Sequence, residues 1–479
     1  MPGAIANVFK GLRGRVGGML WKFLRWCLFL LDPEWAHALG AFVLRGRGFF
    51  YQGRRWFSDM NHHILILDQC PDKAEFMSAA EHILRELGDE ICQPGLLHAS
   101  ALLSINELDT EIADLKSPAF RSHLMNQAFS CDPQGKSPLF RLLLLTGKRD
   151  KRSCIYLGIS HAIADIQAAR QILHRLAGVY RQRMAGDFSE IRSTPWMPLK
   201  MVLPDWNRPV VRHKRQLLTH LTMPGKLIFA KRTRAGLPAV STQGLYVADD
   251  IDFRHQPLSA DLHNHVLTYA KREKISVNAV FSAALVIWLR SVLPEDNGTH
   301  FTMAVNLRGM PCWPEKNGIR SGMVNASLSI PSALSDAELC REISQQTADL
   351  KTVQGIQPAM ALMENAEGLM RSPLPPSIVY KLMNLAQTSN VLYSNPGRTD
   401  GLLELFGETR VLNWCEFGCL VPPYNLMFLT PQLNQRLQLD VVFSRKCFPD
   451  IDMMFIQPFL KALSGLVLAD QPHSAPLAA

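Results

Sequence analysis

Two rhythms of apolar residues run through the chain. From His62 to Leu67 the sequence reads as a strand. From Lys73 to Leu87 the apolar positions Phe76, Ala80, Ile83 and Leu87 fall three or four apart. The first rhythm puts side chains on alternate faces of a strand, and the second lines one face of a helix. Phe140–Thr146 and Cys154–Ser160 predict two further strands, and Ile166, Ala169, Leu173, Leu176 and Tyr180 predict a helix directly after the second. Strands alternating with helices in this way indicate a layered α/β lobe.

A comparable series fills the second half. Leu262–Lys271 and Val277–Leu293 have helical spacing, the latter with Val280, Ala284, Ile287 and Trp288 on one side. Strands are predicted at Thr302–Leu307, Ala326–Ile330, Val391–Ser394, Leu426–Thr430 and Leu437–Phe443, with a last helix near Met453–Leu466. Between the two series the texture changes. Pro195, Pro198, Pro204 and Pro209 break regular structure, and no acidic residue occurs between Asp205 and Asp249, where Arg208, Arg212, Lys214, Lys226 and Lys231 lie. This reads as a basic linker between lobes, either simply solvated or in contact with phosphates or lipid headgroups.

The N-terminus has its own pattern. Met19, Leu20, Phe23, Leu24, Cys27, Leu30 and Leu31 form a wide apolar helical face opposite Lys22 and Arg25. Asp32 then reads as an N-cap with Pro33 at the first helical position, opening a second amphipathic helix. Two readings stay open here: a surface membrane anchor, or two helices packed on the body with solvated basic edges. No uncharged apolar run approaches the ~18 residues of a membrane span. The expected location is cytoplasmic, with peripheral membrane contact through residues 1–50.

Composition changes this picture little. The 479 residues exceed a single core, and 47% hydrophobic with 19% charged residues excludes a disordered or collagen-like chain. A formal charge of +9 suits phosphorylated cofactors, carrier proteins or anionic lipid. Nucleic acid is not expected, because the basic linker lacks interleaved aromatic residues. The ten cysteines do not read as a disulfide framework. Cys415 and Cys419 read as core residues, and no metal is expected.

The most informative stretch is Cys154–Asp165, which ends in Ser160-His161-Ala-Ile-Ala-Asp165 and runs into the helix. A strand delivers His161 to a strand-to-helix turn, where an imidazole can take a proton from an attacking alcohol or amine. Alone, a strand-end histidine reads as structural. However, H-x-x-x-D in this setting resembles the signature of the chloramphenicol-acetyltransferase-like superfamily. Its members include condensation domains of peptide synthetases, plant BAHD acyltransferases, wax ester synthases and polyketide-associated acyltransferases. Ser276-Val-Asn, Val305-Asn306-Leu307-Arg308 and Ser394-Asn395-Pro396-Gly397-Arg398 resemble further family segments in the family's order.

The resemblance implies an α/β fold of two sandwich lobes in one chain with an N-terminal helical extension. Its divisions would be 1–50 (extension), 51–205 (first lobe), 206–248 (linker) and 249–479 (second lobe). It implies His161 as general base, Asp165 as a structural partner of Arg308, and Ser394 and Asn395 as polar groups near the reaction tunnel. The acyl donor would be acyl-CoA or an acyl carrier protein, used as co-substrate without a bound cofactor. The acceptor would be a hydroxyl or amine, lipidic in view of the N-terminus, and two lobes in one chain imply a monomer. A stand-alone amide-forming enzyme and a non-catalytic binding member are the alternatives. Two departures stand out: relatives carry H-H-x-x-x-D-G, whereas this chain has Ser160 and Ile166 at the first His and the Gly. A β-branched Ile166 requires ordinary backbone where glycine permits a tight turn. His62-His63 has no Asp at the matching spacing and reads as packed on a strand or facing the cleft mouth.

Overall fold

The computed structural model describes residues 60–91, 101–108, 115, 117–129, 140–148, 151–161, 164–186, 250–293, 299–310, 323–356, 358–359, 389–399, 404–420, 424–433 and 436–469. The expected N-terminal helices and the expected linker at 206–248 lie outside these residues.

The first half supplies β1 (Met60–Leu67), α1 (Lys73–Ile91), β2 (Ala101–Leu108), α2 (Pro118–Phe129), β3 (Phe140–Gly147), β4 (Ser153–Ser160) and α3 (Ile166–Met184). The second begins with β5 (Ile251–Pro257), α4 (Ala260–Arg272), α5 (Val277–Val292), β6 (Thr299–Asn306), β7 (Met323–Ile330) and α6 (Asp336–Asp349). It continues through β8 (Val391–Ser394), β9 (Leu405–Phe406), β10 (Thr409–Phe417), β11 (Leu426–Leu429), β12 (Gln432–Leu433) and β13 (Arg436–Ser444). A π-helical turn (Asp452–Ile456) then leads into α7 (Gln457–Leu468).

Among the described residues these strands form two mixed sheets. One runs β2-β3-β4-β1-β10-β9, and the other β12-β13-β11-β8-β6-β7 with β5 paired to β13. The first sheet is completed by a strand from far along the chain. β10 lies antiparallel to β1, with His62 opposite Phe417 and Ile64 opposite Cys415. Helices α1 and α3 cover its outer face through Phe76, Ile83, Leu173 and Leu176. Ile64, Ile66, Leu143 and Tyr156 on its inner face meet Phe253, Met427 and Val442 of the second sheet. The second sheet's outer face is buried under α4, α5, α6 and α7, with Trp288, Phe428, Phe455 and Phe459 at the centre. The order is therefore helix, sheet, apolar seam, sheet, helix, as period-2 strands with two apolar faces require.

Helix ends are set locally. Ser259 and Ser276 accept from the amides of Leu262 and Ala279 as N-caps, and Ser335 with Glu338 forms a capping box. Among the described residues no single helix is long and apolar enough to cross a membrane.

Candidate active site

β4 and α3 are joined by the segment that carries His161 and Asp165. β4 is central, flanked by β3 and β1, so its end is held firmly on both sides. His161 follows directly, in a turn, and is partly exposed. Asp165 is buried and caps α3, with Oδ1 accepting from the Ala168 amide at 2.9 Å. Ile166 is the first residue of α3 and packs into the apolar seam between the sheets. The helix therefore starts in ordinary backbone, and the turn needs no glycine at this position.

Arg308 reaches this cap from the second lobe. Its Nη1 donates to Asp165 Oδ2 at 2.6 Å and its Nη2 to Oδ1 at 2.9 Å, and both side chains are almost fully buried. The fork geometry matches a carboxylate at both oxygens. Asn61 on β1 adds a third tie, donating from Nδ2 to the Ala164 carbonyl at 2.9 Å. The backbone that carries His161 is thus held from β1, from α3 and from the end of β6.

Ser394 ends β8 and is buried. Asn395 accepts from the Gly397 amide through Oδ1 at 2.8 Å, closing a turn in which Gly397 has φ +78°. This turn rests on the start of α3. The Pro396 carbonyl accepts from Gln167 Nε2 and, at 2.8 Å, from Arg170 Nη1. The structure therefore gathers Asp165, Arg308 and the 394–397 turn around the first turns of the helix that follows His161.

Besides Asn61, two supporting residues, Arg170 and Glu416, carried no sequence signal. Arg170 is fully buried and binds Glu416 of β10 through two 2.6 Å contacts, and His63 Nδ1 lies 3.3 Å from the same carboxylate. Burial alone would raise the Glu416 carboxyl, but Arg170 and His63 outweigh it and hold it near about 2. The seam side of β1 and β4 carries another pair, in which His62 Nδ1 sits 2.9 Å from the Tyr156 hydroxyl. Burial, then His63 and Arg141, push the His62 imidazole down to about 3, so it is neutral at physiological pH. These two side chains and Ile64, Phe253, Phe417 and Leu420 line a narrow pocket between the sheets.

His255, Cys415 and Asp440 bring ligand-type atoms within 4.8 Å of one another. The Asp440 oxygens already accept from His255 Nδ1, the Glu416 amide and Gln438 Nε2. Burial drives the Cys415 thiol well above its ordinary value, so it stays protonated. The arrangement is that of a satisfied buried hydrogen-bond network.

No family model and no curated protein sequence matches the chain. Solved structures do. The first condensation domain of the calcium-dependent antibiotic synthetase, in complex with a substrate analogue, superposes with a TM-score of 0.58 at 15% identity, over 93% of this chain and 94% of that one. SgcC5 from Streptomyces globisporus gives 0.59 at 14% identity over 87% and 94%. A mutant starter condensation domain of rhizomide synthetase RzmA, in complex with C8-CoA, gives 0.58 at 12% identity over 88% and 93%. The fold is that of the two-lobed condensation domains.

Proposed function

We propose that this condensation-domain fold carries acyl transfer, moving an acyl group from a thioester donor to a hydroxyl or amine acceptor with His161 as general base. The observation that carries the reading is the anchoring of His161. The partly exposed imidazole stands at the end of a central strand, and the following Asp165 is locked to Arg308 from the other lobe. In the reaction His161 takes the proton of the acceptor as its oxygen or nitrogen attacks the thioester carbonyl. The new ester or amide bond forms, the carbon–sulfur bond breaks, and the departing thiolate receives the proton from the imidazolium. Arg308, paired with Asp165, orients the loop. Ser394 and Asn395 belong to the turn beside this helix and are assigned to the tunnel around the developing oxyanion.

Acyl-CoA or a carrier protein is the donor class, supported by the +9 charge that suits an anionic partner. A lipidic alcohol is the favoured acceptor, supported by the basic amphipathic pattern of residues 1–50. Amide formation is the second reading, favoured by a fold shared with condensation domains.

The test is thioester turnover by wild type and His161→Ala with acyl-CoAs from acetyl to palmitoyl, then carrier-bound acyl groups, each with alcohols and amines. Acceptor-dependent thiol release that collapses in His161→Ala supports the reading and separates ester from amide by product mass. Folded protein that turns over no thioester with any acceptor overturns it in favour of a non-catalytic binding protein.

A further inference from the structure

A buried ion pair adds little net stability, because desolvating both charges offsets much of their attraction. Arg170 and Glu416 form such a pair, with side chains 2% and 0% exposed. The guanidinium does more than pair. Its Nε and Nη2 bind the two Glu416 oxygens, while Nη1 donates to the Pro396 carbonyl at 2.8 Å and Nη2 reaches the Gly397 carbonyl at 3.5 Å. Gln167, one turn earlier on the same helix, also donates to Pro396. Glu416 is fixed in turn, since its amide donates to Asp440 Oδ2 at 2.9 Å and its carboxylate lies against His63. Arg170 therefore joins three separately supported pieces: the helix that begins at Asp165, the late strand β10, and the turn that follows Ser394.

We propose that Arg170 is a positioning residue, with Glu416 holding its fork so that it fixes the Ser394–Gly397 turn against the start of α3 and thereby relative to His161. The proposal rests on the acyl-transfer reading for its catalytic consequence, but the fixing of the turn stands apart from it. Lysine cannot replace the fork, because an ammonium is a single point of charge that cannot hold two carboxylate oxygens and two carbonyls together.

Two variants test the idea. Arg170→Lys keeps a cation beside Glu416, and Arg170→Met/Glu416→Leu removes both charges of the pair together. Hydrogen exchange over residues 394–399 is compared with exchange over β3 and β4. Faster exchange confined to 394–399 in both variants is expected, and unchanged exchange there overturns the proposal, as does a rise spread evenly over the molecule. Steady-state kinetics on folded variants uses octanoyl-CoA and the acceptor from the screen above. A fall in kcat on the order of tenfold to a hundredfold, with KM changed by no more than about twofold, is the signature of a displaced catalytic geometry. A wild-type kcat in Arg170→Lys overturns it. If wild type turns over no thioester, the acyl-transfer reading fails, and the exchange experiment still decides whether Arg170 fixes the turn.

Discussion

Arg308 meets Asp165 through two contacts, of 2.6 and 2.9 Å, and Asp165 at the same time caps the helix that starts beside it. One carboxylate thus closes a contact between the lobes and a helix end. The two roles separate by mutation. Asp165→Asn keeps a capping oxygen but breaks the buried pair, so it should destabilise by about 3–5 kcal/mol. Asp165→Ala should lose a further ~1 kcal/mol for the cap. Urea denaturation of both variants checks this; equal losses would show that the cap contributes nothing.

His62 makes the protein acid-sensitive. Its folded value is about 3 against an ordinary 6.5. Below pH 6.5 the unfolded imidazole takes up a proton that the folded one refuses, so stability is lost as pH falls from 6.5 towards 3. The slope should be roughly 1.4 kcal/mol per pH unit within that window. Tm measured against pH should flatten in His62→Phe by that amount, and an unchanged slope would assign the acid lability elsewhere.

Gly407 and Gly186 share φ +66°, yet they differ in what surrounds them. A methyl group at Gly407 would lie 2.5 Å from Cε1 of Tyr180, whereas at Gly186 nothing lies within 4 Å. Gly186→Ala should therefore cost about 1–2 kcal/mol from backbone alone. Gly407→Ala should cost about 1–3 kcal/mol more, because the Tyr180 ring is held by Phe406 and by the Asp72 amide. The difference between the two in guanidinium unfolding isolates the ring contact.

Trp288 packs edge-on against Phe455 at 4.8 Å, and its Nε1 donates to the Met454 carbonyl. Trp288→Ala should cost about 3–5 kcal/mol, and the midpoint of a thermal melt would drop by several degrees. A loss below about 1 kcal/mol would mean that the π-helical turn collapses to refill the space.

The strands and helices near His161 were legible because their apolar spacing is dictated by local geometry. β3, β4 and α3 follow the patterns of Phe140–Thr146, Cys154–Ser160 and Ile166–Tyr180. Helix α2 was not foreseen, since Pro118–Phe129 mixes polar and apolar residues without a clear face. β10 was also missed, because Leu412 is exposed and Asn413 and Glu416 are turned into polar contacts. Within the site, motif order placed Asp165, Arg308, Ser394 and Asn395 on one list. It was silent on Asn61, whose partner lies 103 residues away, and on Arg170 and Glu416, which are 246 residues apart. At Ile166, where the family pattern has glycine, the chain begins its helix in ordinary backbone.

The late arrival of β10 sets the timetable of synthesis. Asp68, just after β1, accepts from the amide of Arg410, 342 residues later in the chain. At the ribosome's pace of about 5–20 residues per second, that partner emerges tens of seconds after β1 does. Through this interval the newborn first lobe presents β1 as a bare edge, a template for pairing with any other extended chain. A chain truncated before Thr409 keeps that edge of β1 bare and is expected to aggregate more readily than the full chain.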